Sequence, residues 1–91
     1  MSITVRIPTQ LRELTGGSDE VAAAGSSVEE VVKHLDQSHP GIGGRLIDES
    51  GQLRRFVNLY VDGEDIRFLD GLKTVIPQRA ELSIIPAVAG G

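Results

Sequence analysis

The last two residues, Gly90-Gly91, set a bare α-carboxylate behind three small uncharged residues, Ala87-Val88-Ala89, and a proline-terminated apolar run, Leu82-Ser83-Ile84-Ile85-Pro86. Glycine lacks a Cβ, turns or extends freely and lets another backbone approach closely. Residues 87–91 therefore read as a thread that enters a narrow channel. Gly91 supplies the reacting carboxylate, Gly90 supplies access, and Ala87, Val88 and Ala89 are the stretch that docks. A free carboxylate is a poor electrophile, because its charge repels nucleophiles and oxide is a bad leaving group. The chemistry such a terminus invites is activation by a partner.

Other constellations offer less. His34 and His39 stand five apart with no acidic or sulfur ligands in a metal-like pattern. Asp62, Glu64 and Asp65 form a carboxylate cluster, but around a tight turn they read as a solvated tip rather than an acid/base pair. Gly41-Ile42-Gly43-Gly44 lacks the Gly-Lys-Ser/Thr of a phosphate loop. Arg54-Arg55 is too short a basic run for nucleic acid and suits steering of an acidic partner. Nucleophile, base and orienting group never occur together, so no catalytic residue is assigned.

Composition narrows the classes. Ninety-one residues make one domain with one small core. The net charge of −4 argues against phosphate-backbone binding and for protein partners with basic patches. The absence of cysteine excludes disulfides, thiolate metal sites and a cysteine nucleophile. No apolar run approaches bilayer-spanning length, and the first residues lack a signal-peptide layout, so the expected location is cytoplasmic, with no membrane partner.

The thread needs a scaffold. Ile3, Val5 and Ile7 alternate with Thr4 and Arg6, the period of a strand with one buried face, closed by Pro8. Turn chemistry at 14–19 and an extended run at 20–23 predict a hairpin with a long loop. Ser27 with Glu30 forms a capping-box pattern, and Val28, Val31, Val32 and Leu35 give the helix one apolar stripe up to a stop at His39-Pro40-Gly41. Residues 41–55 read as a loop with one helical turn. Phe56–Val61 is the strongest strand, Asp62-Gly63 a tight hairpin turn, residues 65–68 a short return strand and Leu82–Ile85 the last strand. The order β-β-α-β-β-β, with one crossover helix on a mixed sheet, predicts an α+β roll of the ubiquitin-like β-grasp type over residues 1–86, followed by the tail 87–91. If Val57, Leu59 and Val61 face the helix, Phe56, Tyr60 and Ile85 fall on the other face as an apolar partner surface.

The hairpin Phe56–Phe68 and the ending Ile85-Pro86-Ala87-Val88-Ala89-Gly90-Gly91 resemble the small sulfur carriers of the ThiS/MoaD group, and the resemblance covers essentially the whole chain. It implies a protein sulfur carrier rather than an enzyme, with no bound cofactor. An E1-like adenylyltransferase/sulfurtransferase would use ATP and magnesium to adenylate Gly91, and a sulfur donor would displace AMP to leave a thiocarboxylate. Within the group the two segments look most like carriers serving cysteine formation. There the acceptor is a pyridoxal-phosphate-dependent cysteine synthase or another sulfur-incorporating synthase, and a JAMM-type metalloprotease releases the product. The lack of cysteine suits this scheme, since an internal thiol would attack the activated terminus. Two other readings share the first step or the ending: a molybdopterin synthase small subunit, and a ubiquitin-like modifier conjugated through Gly91.

Overall fold

The computed structural model describes residues 2–86. The chain opens with β1, Ser2–Arg6, and returns as β2, Glu20–Ala24, paired antiparallel to it from Ser2↔Ala24 to Arg6↔Glu20. The long loop between them is not irregular: Thr9–Thr15 forms a 3-10 helix that buries Leu11 and ends at Gly16 in the left-handed region.

Helix α1, Val28–Ser38, starts where Ser27 Oγ accepts the Glu30 N–H at 3.3 Å and ends before Pro40. The reciprocal arm of the predicted capping box lands one residue earlier. Glu30 Oε1 accepts from the Ser26 N–H at 3.0 Å and from its hydroxyl at 2.9 Å, and the backbone bond leads in holding the Glu30 carboxyl below its ordinary pKa. Val28, Val31, Val32 and Leu35 are all buried, as the stripe requires. Gly25 lets the chain cross this helix end: a Cβ there would stand 2.7 Å from the Val31 nitrogen.

A second short helix, α2, spans Ile42–Leu46 and inserts Ile42 and Leu46 fully into the core. Its start is tied by Asp36 Oδ1, which accepts from the Gly43 N–H at 2.9 Å and the Gly41 N–H at 3.2 Å. Strand β3 is Val57–Val61, with Phe56 in the turn before it, and Asp62 and Gly63 both take positive φ, 49° and 88°, as a two-residue hairpin demands. The return strand β4 is shorter than expected, Glu64–Asp65 only, because Asp65 Oδ1 captures the Arg67 N–H at 2.8 Å and starts a 3-10 turn, Ile66–Phe68, that buries Ile66. Another 3-10 turn, Gly71–Lys73, leads toward β5, Glu81–Pro86.

The five strands form one sheet in the order β2-β1-β5-β3-β4. Strand β5 lies parallel to β1 and antiparallel to β3, so the last strand is central. Alternate residues point to opposite faces of a strand. Ile3, Val5, Leu59, Leu82 and Ile84 pack inward against the α1 stripe, with α2 closing the core. This is the mixed-sheet β-grasp, with α2 as the helical turn expected within 41–55 and the 3-10 turns added to the expected order.

Candidate functional site

Ala87, Val88, Ala89, Gly90 and Gly91 lie outside the described residues; the structure describes where they are launched. Strand β5 ends at Pro86, paired with Val57; β3 accompanies it over Leu82–Pro86, whereas β1 pairs with it only over Glu81–Ser83. A groove of about 390 Å³ flanks this end, lined among others by Arg6, Pro8, Gln10, Arg12, Ile85 and Pro86. Arg12 is fixed there by its own Nε, which donates to the Ile7 carbonyl at 3.1 Å. Arg6 bridges the solvent face of three strands, 3.3 Å from Glu20 and 3.5 Å from Glu81. The end of the sheet that launches the tail thus carries two guanidinium groups beside apolar Ile85 and Pro86.

The three residues expected as a partner surface are placed as follows. Phe56 is 60% exposed and Ile85 47%, both at the Val57–Pro86 end of the sheet, while Tyr60 is half-buried. Ile85 pairs with Asn58 and Tyr60 with Ser83, which makes Tyr60 and Ile85 diagonal neighbours on the outer face, about 7–8 Å apart. The segment after α1 does not cover Phe56 or Ile85. It turns back instead, with Ile47 bridged to Leu53 and the Arg54 N–H bonded to the Leu46 carbonyl. Asp48 fixes that loop by accepting from the Ser50 hydroxyl and from the Gln52 and Ser50 N–H groups, and the Ser50 hydroxyl leads in lowering its pKa.

Arg67 carries a role the sequence did not reveal. Strand β4 covers only Tyr60 and Val61, so the edge of β3 near Val57 lacks a neighbouring strand. The Arg67 guanidinium fills that place, donating to the Val57 carbonyl at 2.8 Å, the Arg54 carbonyl at 3.4 Å and Asn58 Oδ1. It thereby sets the turn that presents Phe56. No sequence pattern gives this away, because an isolated arginine past a hairpin is usually a solvated one.

The discounted clusters have structural tasks. His34 Nδ1 accepts the Ala24 N–H at 3.2 Å, tying α1 to β2. Asp62 Oδ1 accepts the Glu81 N–H at 2.9 Å, and Arg54 Nε donates to the Gly44 carbonyl at 2.7 Å. Among the described residues no group of three His, Cys, Asp or Glu side chains is arranged to hold a metal, and no helix is long and apolar enough to cross a membrane.

A family model described as the ThiS family matches residues 5–91. The chain belongs to the ThiS family. Sulfur carrier protein CysO of Mycobacterium tuberculosis (strain ATCC 25618 / H37Rv) is 48% identical over 93 residues, covering 100% of both chains. A chain from the crystal structure of the Amycolatopsis orientalis BexX/CysO complex matches with a TM-score of 0.92 at 46% identity, over 98% of this chain and 99% of that one. Small archaeal modifier protein 3 of Haloferax volcanii is 31% identical over 97 residues, again covering 100% of both. For a ThiS-family chain the place of β5 has a direct meaning: the strand that leads to the diglycine is the central strand of the sheet.

Proposed function

We propose that this ThiS-family chain is a sulfur carrier, acted on by enzymes rather than acting as one, with Gly91 as the carrying residue. The observation that supports it most is the full-length 48% identity to sulfur carrier protein CysO, together with a diglycine that follows the central strand in sequence. A carboxylate oxygen of Gly91 attacks the α-phosphorus of ATP on an E1-like partner, with magnesium bound to the nucleotide, and pyrophosphate leaves. Sulfide-level sulfur, supplied as hydrosulfide, then attacks the acyl carbon of the adenylate, the acyl C–O bond breaks, AMP and the sulfur's proton leave, and the terminus becomes a thiocarboxylate. Ala87, Val88, Ala89 and Gly90 lie in the partner's channel while Phe56, Tyr60 and Ile85 rest against its surface. The sulfur passes in the cytoplasm to an acceptor enzyme. The similarity to CysO favours cysteine formation, with an aminoacrylate on a pyridoxal-phosphate enzyme as acceptor and a JAMM-type metalloprotease cutting after Gly91.

Intact mass of the protein from its native cell, with fragmentation of the C-terminus, tests this reading. A gain of sulfur minus oxygen localised to Gly91 is expected. The 31% identity to a small archaeal modifier protein favours a second reading, conjugation through Gly91. An unmodified terminus, with branched peptides bearing Gly90-Gly91 on lysines of other proteins, would replace the carrier by the modifier.

A further inference from the structure

Among the described residues, three of the five large apolar side chains that stand exposed lie away from Pro86: Phe68 at 87%, Val75 at 70% and Leu69 at 40%. They line one groove of about 500 Å³ together with Asp62, Glu64 and Asp70. The groove sits at the Glu81 end of β5, since Asp62 and Glu81 exchange backbone and side-chain bonds at 2.9 Å, whereas the tail leaves from the Pro86 end. Five strand steps of about 3.3 Å separate the two ends.

The exposure does not come from a frayed segment. Val75 bridges Ser27, the Val28 N–H reaches the Thr74 carbonyl at 3.0 Å and the Ile76 N–H reaches the Ser26 carbonyl at 2.9 Å, so this wall is pinned to the start of α1. The opposite wall is held by the Leu69 N–H on the Ile66 carbonyl at 3.0 Å and by the Asp70 N–H on the Thr74 hydroxyl at 3.0 Å. Charge completes the pattern. No cation lines the groove, and among the described residues no Lys, Arg or His lies in ion-pair contact with Asp62, Glu64 or Asp70. Arg67 is committed to β3, and Lys73 and Arg79 lie outside the lining.

We infer that this groove docks a second protein partner through a cationic, apolar segment, with leucine-like side chains against Phe68, Leu69 and Val75 and arginine or lysine against the three carboxylates. Exposed apolar clusters rimmed by polar groups mark interaction sites, and complementary charge gives such contacts their selectivity. Because the groove lies away from the Pro86 end, this partner binds while the tail is engaged elsewhere. That last clause rests on the carrier reading; the docking chemistry does not.

The test is amide chemical-shift mapping on the isotope-labelled full chain with three synthetic ten-residue peptides, alternating leucine–arginine, leucine–glutamate and glycine–arginine. The leucine–arginine peptide is expected to shift residues 61–77 saturably, to weaken several-fold in about 0.5 M salt, and to lose most of its affinity for a Phe68→Ser/Val75→Ser variant. Equal effects of all three peptides, shifts centred on Phe56, Tyr60 and Ile85, or no shifts at all would overturn the proposal. Both substituted side chains are exposed, and an unchanged spectrum outside 61–77 confirms that the variant folds. Thiocarboxylate formation at Gly91 in the same variant should proceed at the wild-type rate. A loss confined to the variant would make the groove part of the activating surface and remove the second partner, whereas absence of sulfur on both chains counts only against the carrier reading.

Discussion

The two ends of the sheet are both apolar at the surface, yet they differ in charge and in how they are held. At the Pro86 end, Phe56 and Ile85 stand near Arg12 and near an Arg6 already paired with Glu20 and Glu81, on a strand end laddered to β3. At the Glu81 end, Phe68, Leu69 and Val75 stand among Asp62, Glu64 and Asp70 on short turns fastened by individual hydrogen bonds. A small domain with one core has little surface to divide. If both ends dock partners as proposed above, their different rims would let each end select its own.

The largest effect that would break this division is at the tail. Deleting Gly91 should abolish sulfur loading altogether while leaving the urea midpoint unchanged; any residual thiocarboxylate on Gly90, seen by mass, would show that the partner reads length loosely. Next comes the contrast between support and surface. Ile66→Ala, in the 3-10 turn that carries Phe68 and 1% exposed, should cost about 2–5 kcal/mol in urea unfolding. Ile85→Ala at the other end, already half in water, should cost under about 1 kcal/mol. Equal losses would mean that the outer face is not solvent-facing.

A crossed pair of variants sharpens the comparison further. Tyr60→Asp should slow thiocarboxylation by about tenfold, equivalent to about 1.4 kcal/mol of lost contact, in a chain whose circular dichroism is unchanged. Phe68→Ser should leave that rate alone. A Tyr60→Asp protein that folds and is loaded at the normal rate removes the partner surface.

The smallest expected effect is the acid response. Glu30 and Asp48 both have carboxyl pKa values lowered by hydrogen bonds that favour the charged form, from Ser26 in one case and chiefly Ser50 in the other. Folded values below the unfolded ones mean that their stabilising contribution is complete above the ordinary carboxylate range of about 4 and disappears as pH falls through the depressed values. A Glu30→Gln/Asp48→Asn chain should therefore lose less stability than wild type between about pH 6 and pH 3. Identical slopes would show that these turns are already loose at neutral pH.

Much of the scaffold was legible because local pattern and tertiary role agree. The alternation of Ile3 and Val5, the stripe Val28, Val31, Val32 and Leu35, and the Asp62-Gly63 turn all do in the fold what their periods and φ preferences dictate. The misses have a common cause, contacts that no local window contains. Even the helical turn expected within 41–55 could not be placed from pattern, since α2 contains Gly43-Gly44 and its start is fixed by Asp36 from the preceding helix. Likewise Asp65 diverts the chain from strand to 3-10 turn so that Ile66 can be buried, and Arg67 then finds carbonyls ten and thirteen residues away. Of the candidate site, the exposure of Ile85 was legible from strand alternation, whereas Phe56 is exposed from the turn before β3 rather than from the strand and Tyr60 is half-buried. The groove at the other end was not legible, because Phe68 and Val75 come together only through the 3-10 turns and the bridge to Ser27.

The central place of β5 also has a mechanical consequence. A partner that draws residues 87–91 into its channel pulls along the axis of a strand laddered to β1 on one side and β3 on the other. The load falls in shear, first on the β3 ladder that runs to Pro86 and then also on the β1 ladder from Ser83 inward, rather than peeling an edge strand one bond at a time. Several backbone hydrogen bonds would have to yield together before such a pull moved the strand.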